Sequence, residues 1–445
     1  MEMSIKKNFN TFELLLFSFP SMINMMFVSL YQSVDGLFIS NLVGTDALSA
    51  VNIVYPFISV IVGIGIMLGT GGSAIIGINL GMNNDDEARK NFTRIVVLGL
   101  IVSTVISIFG YIFMDEILHL LGANERLMPY CVDYYKIQIW FMPAMIVQIM
   151  FSNFFITASM PGVGLFLSTA AGVTNAILDY VFIKIFHMGI AGASLATVTG
   201  YLIPCVFALV YFTFVRKGDL YFVKSDFCLD TILKTCGNGS SELISNLAVS
   251  VTTLLINYTM LKLVGEDGVA AFTVVLYTQF LFTSIFMGFS EGVAPVISYN
   301  YGSQNREQFD RITKICKNTI GYMSVLMILS AFIFAKQVVG IFIPADSSAY
   351  DITLLGYKIF SVNYIFAGFN IYASNFFTAI SNGKVSALIS SLRTFVFTVL
   401  GLVTLPYLFE NGIWFAIPIA EMVTLVVSIY FLRKPVIFLH NLNAD

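Results

Sequence analysis

The sequence predicts an all-α integral membrane protein of about twelve transmembrane helices, in two pseudo-symmetric six-helix bundles around a central cavity. Three observations carry this. Of the 445 residues 57% are hydrophobic and only 11% are charged, with a mean hydropathy of +0.85, whereas soluble domains carry roughly 25% charge. Apolar runs long enough to cross a hydrocarbon core of ~30 Å recur along the whole chain. Distant stretches also repeat one another: LVGTDALSA (Leu42 to Ala50) matches LVGEDGVAA (Leu263 to Ala271), a shift of 221 residues. The same shift carries Gly81 of INLGMNNDDEARK to Gly302 of YNYGSQNREQFDR, and Gly162 to Gly383, which reads as a register without gaps.

The first series of apolar segments falls at about 12–42, 50–80, 95–114, 130–158, 164–186 and 189–215. A second falls at about 236–262, 269–299, 314–334, 352–380, 386–406 and 412–432. Lys6 and Lys7 precede the first run, but it is too long for a signal h-region and lacks a small-residue cleavage site, so it reads as a retained helix. The mixed-polarity stretch RKGDLYFVKSDFCLDTILK (Arg216 to Lys234) reads as a linker with an amphipathic surface segment. The division is therefore an N-terminal lobe at 1–215, a cytoplasmic linker at 216–235 and a C-terminal lobe at 236–445. With six helices each, the repeats have parallel topology, and such paired bundles enclose a cavity and rock about it. That points to a transporter.

With the N-terminus inside, 17 basic residues fall on the inner side, among them Arg89, Arg94, Arg216, Lys224, Arg306, Arg311 and Lys384. The outer side holds 6: Arg126, Lys136, Lys184, Lys262, Lys336 and Lys358. This bias places both termini in the cytoplasm.

An ionisable side chain inside a spanning helix costs roughly 2.5–3.5 kcal/mol by insertion scales, so such residues are functional candidates. Asp35 lies in the first segment, with Tyr31 one turn before it on the same face. Asn175 and Asp179 share a face of the fifth segment at i, i+4. Counting depth at 1.5 Å per residue brings Tyr134 of the fourth segment and Thr197 of the sixth to the same layer. This oxygen-rich, histidine-free set suits a shared proton or a hard cation such as Na⁺ at Asp35 and Asp179; two nearby carboxylates in low dielectric cannot easily both ionise. The bland alternative is that the two aspartates merely cap separate helix ends.

Shifted by 221, Asp35 and Asp179 become Ile256 and Leu400, so the second half lacks this site. Its own intramembrane charges are Glu242, Glu291, Arg393 and Glu421. Glu242, Glu291 and Arg393 fall in the inner part of the bilayer, where Arg393 is expected to neutralise one of these two glutamates; snorkelling to the inner surface is the alternative. Prolines 20, 56, 143, 204, 295 and 418 interrupt helical runs and are expected to bend them. The glycines of GIGIMLGTGGSAIIG (Gly63 to Gly77) allow close helix packing. Some of the 42 Phe, 21 Tyr and 19 Met must line the cavity, where soft side chains suit apolar cations.

Other classes find little. No basic run exceeds two residues, which leaves nucleic-acid binding without support. The five cysteines show no CxxC or metal spacing, so no cofactor is indicated. No HxxxD, HExxH or serine–histidine arrangement suggests an enzyme. A non-transporting receptor does not account for the repeat and the paired acids.

The run Pro20…Tyr31-x3-Asp35-Gly36…Gly44-x5-Ala50 resembles the first helix of the multidrug and toxic compound extrusion (MATE) transporters. So do NAILDYVFI (Asn175 to Ile183), GIAGASLAT (Gly189 to Thr197) and VISYNYGSQN (Val296 to Asn305). The resemblance covers essentially the whole chain and is closest to the bacterial branch with a cation site in the N-terminal half. It implies an efflux antiporter of the bacterial cytoplasmic membrane, with two lobes around a V-shaped cavity, exporting small organic cations. It further implies that Asp35 and Asp179, with Tyr31, Tyr134, Asn175 and Thr197, bind the coupling H⁺ or Na⁺, and that Pro20 lets the first helix bend. Other members use a glutamate of the seventh helix, but Glu242 lies nearer the start of its helix, so that role is not carried over. A lipid-linked saccharide flippase of the same superfamily is the alternative; such proteins line the cavity with several basic residues, and here Arg393 stands alone. One chain supplies both lobes, so a monomer embedded in lipid is the expected unit.

Overall fold

The computed structural model describes residues 4–216, 218–409 and 411–438; in the first helix, the side chains at 31–37, 40 and 41 lie outside this description. Among the described residues there are helices and no strand. The first series comprises α1 (Thr11–Leu42), α2 (Thr45–Gly81), α3 (Asp85–Ile112), α4 (Met114–Leu120), α5 (Met128–Trp140), α6 (Met142–Thr157), α7 (Pro161–Asp179) and α8 (Gly189–Phe214). The second comprises α9 (Leu229–Leu263), α10 (Glu266–Gly302), α11 (Arg306–Ile333), α12 (Ala335–Phe342), α13 (Ala349–Ser361), α14 (Tyr364–Ala379), α15 (Gly383–Ser391), α16 (Phe397–Leu408) and α17 (Gly412–Arg433). π-Helical turns at Tyr180–Ile185 and Leu392–Val396 continue α7 and join α15 to α16. Among the described residues ten helices are long and apolar enough to cross a membrane, and up to twelve when each bent pair counts as one span.

Local chemistry sets the boundaries. Asn10 and Glu13 form a reciprocal capping box at the start of α1. Asn84 and Asn305 accept from the third helical N–H of α3 and α11, one repeat apart. These helices begin well before the apolar runs at 95–114 and 314–334, because their first turns are charged and capped rather than greasy. The tight turns before α2 and α10 need Gly44 (φ +127°) and Gly265 (φ +84°), a backbone region costly for any other residue.

The fourth and tenth apolar runs are not single straight helices. α5 and α6 meet at 57°, next to Pro143, and α13 and α14 meet at 48° without a proline. Pro20, Pro56, Pro204, Pro295 and Pro418 lie inside helices that continue through them, so among the six prolines only Pro143 starts a new element. The junction 362–363 has one residue more than its counterpart at Phe141. The repeat shift is therefore 221 for α2 to α5 and 222 for α6 and α7, whose counterparts α14 and α15 start at Tyr364 and Gly383. This corrects the gapless register: the counterpart of Asp179 is Gly401, still apolar. The stretch 218–228 is not helical, and α9 starts at Leu229. It is strapped to α3 by Arg89 Nε donating to the Asp219 carbonyl (3.1 Å), Arg94 Nε to the Asp226 carbonyl (2.8 Å), and Phe222 stacking on Phe92 (5.1 Å).

The two series cross where α1 meets α10 and α2 meets α9 and α10. A Cβ on Gly81 would stand 2.1 Å from the Tyr299 carbonyl, and one on Gly302 2.1 Å from the Ile78 carbonyl, a pair related by the 221 shift. Likewise Gly71 lies against Thr235 and Gly239, and its counterpart Gly292 against Ser18 and Ser21. These contacts lie toward the end at which α1 begins and α2 ends, where Gln308 Nε2 also donates to the Phe9 carbonyl (3.0 Å). That end is sealed by backbone touching backbone, which only glycine permits.

Candidate functional site

In the first series, α7 packs against α1 and α8, and α8 also packs against α5. Gly200 lets α8 approach the Ala171 carbonyl and Asn175 of α7 closely. Asn175 Nδ2 donates to Thr197 Oγ1 at 3.5 Å, a long hydrogen bond, while Thr197 donates to the Ala193 carbonyl (3.0 Å). One turn away, Ser194 Oγ donates to the Tyr134 carbonyl (2.9 Å). Asn175, Asp179 and Tyr134 are all buried, Asp179 fully so. The structure thus joins Asn175 to Thr197, ties the backbone at Tyr134 to α8 through Ser194, and buries Asp179 one turn beyond Asn175 on α7. The side chains of Tyr31 and Asp35 lie outside the described residues; the backbone of α1 runs alongside α7. Pro20 sits within α1, where it withholds a hydrogen bond from the Leu16 carbonyl. Ser194 is a member that the depth count missed. Its signal was present, since it stands three residues before Thr197 on the same face.

Asp179 ends regular α-helix, and the π turn begins at the next residue. The second π turn contains Arg393. Such one-turn widenings leave carbonyls less regularly paired and are frequent at functional sites. Both mark an intramembrane charge here.

The second series corrects one expectation. Arg393 forms its ion pair with Glu421 rather than with Glu242 or Glu291. Its Nε donates to Glu421 Oε1 at 2.6 Å, with the two side chains 15% and 4% exposed. Asn370 Nδ2 donates to Glu421 Oε2 (2.7 Å), and Ser428 Oγ donates to Asn370 Oδ1 (2.7 Å). Depth counting paired Arg393 with acids at similar height; lateral packing of the π turn at Leu392–Val396 on α17 decides the partner instead. Glu242 and Glu291 are buried, and among the described residues neither carboxylate has an ion pair or side-chain hydrogen bond. Beside Glu291 a narrow crevice between the two series is lined by Thr70, Ser73, Asn153, Ser298, Asn375 and Thr378.

A two-series bundle of this kind, with buried carboxylates inside each half, is that of a multi-pass membrane protein. The MatE family model matches residues 20–181 and 243–403, one match in each series. The chain belongs to the MatE family, whose members are membrane transporters. It is similar to the multidrug export protein MepA of Staphylococcus saprophyticus, 24% identical over 430 residues, covering 94% of this chain and 93% of that protein. MepA of Staphylococcus aureus strain MRSA252 is 22% identical over 433 residues, again covering 94% and 93%. In fold the chain is similar to a MATE protein crystallised in complex with MaL6, with a TM-score of 0.89 at 21% identity and 96% of each chain covered. It is likewise similar to an outward-facing multidrug resistance MATE family transporter of the MOP superfamily, with a TM-score of 0.88 at 22% identity and the same coverage.

Proposed function

We propose that this chain is a secondary active antiporter that exports small organic cations or drugs in exchange for H⁺ or Na⁺. The observation that carries the reading is the buried Asp179 with Asn175 and Thr197 on α7 and α8, both packed against α1, and Tyr134 on α5, which packs against α8. The export function named for the MepA relatives supports the substrate class. The lobes are 1–215 and 236–445, joined by 216–235 on the cytoplasmic side with both termini. With that orientation the sealed end is cytoplasmic and the arrangement corresponds to an outward-facing state.

Antiport follows from competition. A coupling cation reaching Asp35 and Asp179 from outside neutralises carboxylates that otherwise balance a cationic drug, so the drug leaves. Pro20 gives α1 a place to yield as occupancy changes. Rocking of the lobes then exposes the site inward, the coupling ion departs, and the re-ionised pair favours the next drug. Each ligand shifts the equilibrium only by its differential affinity for the two states. The flippase alternative has less support, because Arg393 is already held by Glu421.

The test is efflux of a fluorescent organic cation from energised cells, followed by everted vesicles under an imposed pH or Na⁺ gradient. Asp35→Asn and Asp179→Asn are expected to lose export at least tenfold while reaching the membrane folded, and the effective gradient names the ion. Full export by both variants would sink the reading.

A further inference from the structure

The crevice beside Glu291 is built on the pseudo-symmetry axis. Glu291 of α10 is the counterpart of Thr70 of α2 at the 221 shift, and Asn375 of α14 is the counterpart of Asn153 of α6 at 222. Each lobe thus supplies matching oxygens to one small space, and a single carboxylate breaks the symmetry. Glu291 is 7% exposed, and the guanidinium of Arg393 is paired with Glu421. Glu242, also buried on the adjacent α9, adds a second acid rather than a counter-charge.

The neutral groups have spent donors elsewhere. Thr70 Oγ1 donates to the Ile66 carbonyl (2.9 Å), and Ser298 Oγ donates to the Ala379 carbonyl (2.8 Å). Asn153 and Asn375 each turn Nδ2 toward a carbonyl of their own helix, at 3.4 Å and 3.2 Å. That sets each amide oxygen on the opposite side of its group. Ser73 is 6% exposed, lines the crevice, and its hydroxyl meets no partner among the described residues. What remains is a set of acceptors around a carboxylate inside low dielectric. A bound cation compensates such a set, and several neutral oxygens with one carboxylate form the shell of a hard cation.

We propose that this crevice is a second cation site, binding Na⁺ between the lobes when they are closed as here. It shares no helix with the α5, α7 and α8 cluster or with α1. Because α2 and α6 supply part of the shell and α10 and α14 the rest, separating the lobes divides the ligands. Na⁺ therefore favours the closed arrangement of this end by its differential affinity.

The experiment is ²²Na⁺ binding to purified full-length protein in nanodiscs at fixed pH, with choline holding the ionic strength. The background is Asp179→Asn, which takes one of the two N-lobe carboxylates out of the readout, so that the change on adding Glu291→Gln reports the crevice. Saturable binding is expected to persist in Asp179→Asn, to weaken at least tenfold on adding Glu291→Gln, and to weaken on adding Ser73→Ala. If the Glu291→Gln protein fails to fold, Ser73→Ala decides, since it removes only an oxygen. Absence of Na⁺ binding in Asp179→Asn, or binding unchanged by the folded second substitutions, overturns the proposal.

Discussion

At the residue scale, the most consequential contact is the one between Arg393 and Glu421. Both are buried charges, and Asn370 satisfies the second carboxylate oxygen. Removing one partner leaves an unpaired charge away from water, which costs about 3–5 kcal/mol. Glu421→Gln is therefore expected to lower the thermal stability of the purified protein markedly. Arg393→Met with Glu421→Leu should recover most of it, because neither charge is then stranded. A double variant no more stable than the single one would show that the pair itself, not the stranded charge, is what stabilises the lobe. Asp179 belongs to the same scale but carries a different expectation. Asp179→Asn keeps shape and burial, so it should spare stability and abolish export. A simple helix cap would show the reverse.

At the scale of elements, the glycine crossings fix how closely α2 and α10 meet. Gly81→Leu places a branched side chain where a Cβ already stands 2.1 Å from the Tyr299 carbonyl. The lobes must then part at that end. The expected outcome is protein that inserts but no longer closes there, read as increased reactivity of cysteines introduced at Ile78 and Tyr299 toward a membrane-impermeant thiol reagent. Unchanged reactivity in a folded variant would remove the sealing role. Gly302→Leu should give the same result, because the two positions are related by the repeat. The π turns raise a second element-scale point. Nothing in the composition of YVFIKI or LRTFV distinguishes them from ordinary helix. Their position beside Asp179 and around Arg393 emerges only once neighbouring helices constrain those charges.

For the whole molecule, the orientation proposed from basic residues predicts that tags at both termini are reached only after the membrane is permeabilised. A terminus labelled from outside intact cells would invert the sealed end and, with it, the outward-facing assignment. The coupling prediction also lives at this scale. A gradient of one ion should drive dye movement in wild type, while dissipating that gradient stops it.

Much of the architecture was legible because bilayers impose length. A run such as Gly189 to Phe214 must be a helix if it crosses lipid, since every backbone group needs an internal partner. The repeat was legible for a similar reason: Gly44 and Gly265, Asn84 and Asn305, and Gly81 and Gly302 answer local demands of turn, cap and close approach. Those demands recur at fixed spacing and are written in residue type. The i, i+4 pair Asn175 and Asp179 was readable on the same basis, as helical periodicity.

Partnership across helices was not readable. Arg393 found Glu421 rather than Glu242 or Glu291, since depth along a helix says nothing about its rotation or its neighbours. The extra residue at 362–363 and the bend without proline between α13 and α14 escaped because a single insertion leaves hydropathy unchanged. The crevice at Glu291 escaped for a third reason: its ligands come from four helices spread over 300 residues of chain, and its acceptor character depends on where each donor hydrogen was spent. Sequence alone determined the membrane class, the helix inventory and the repeat, because these follow from local periodicity and from the bilayer's thickness. Tertiary structure decided which charges are neutralised and which oxygens face one another, because those depend on lateral packing that no single segment encodes.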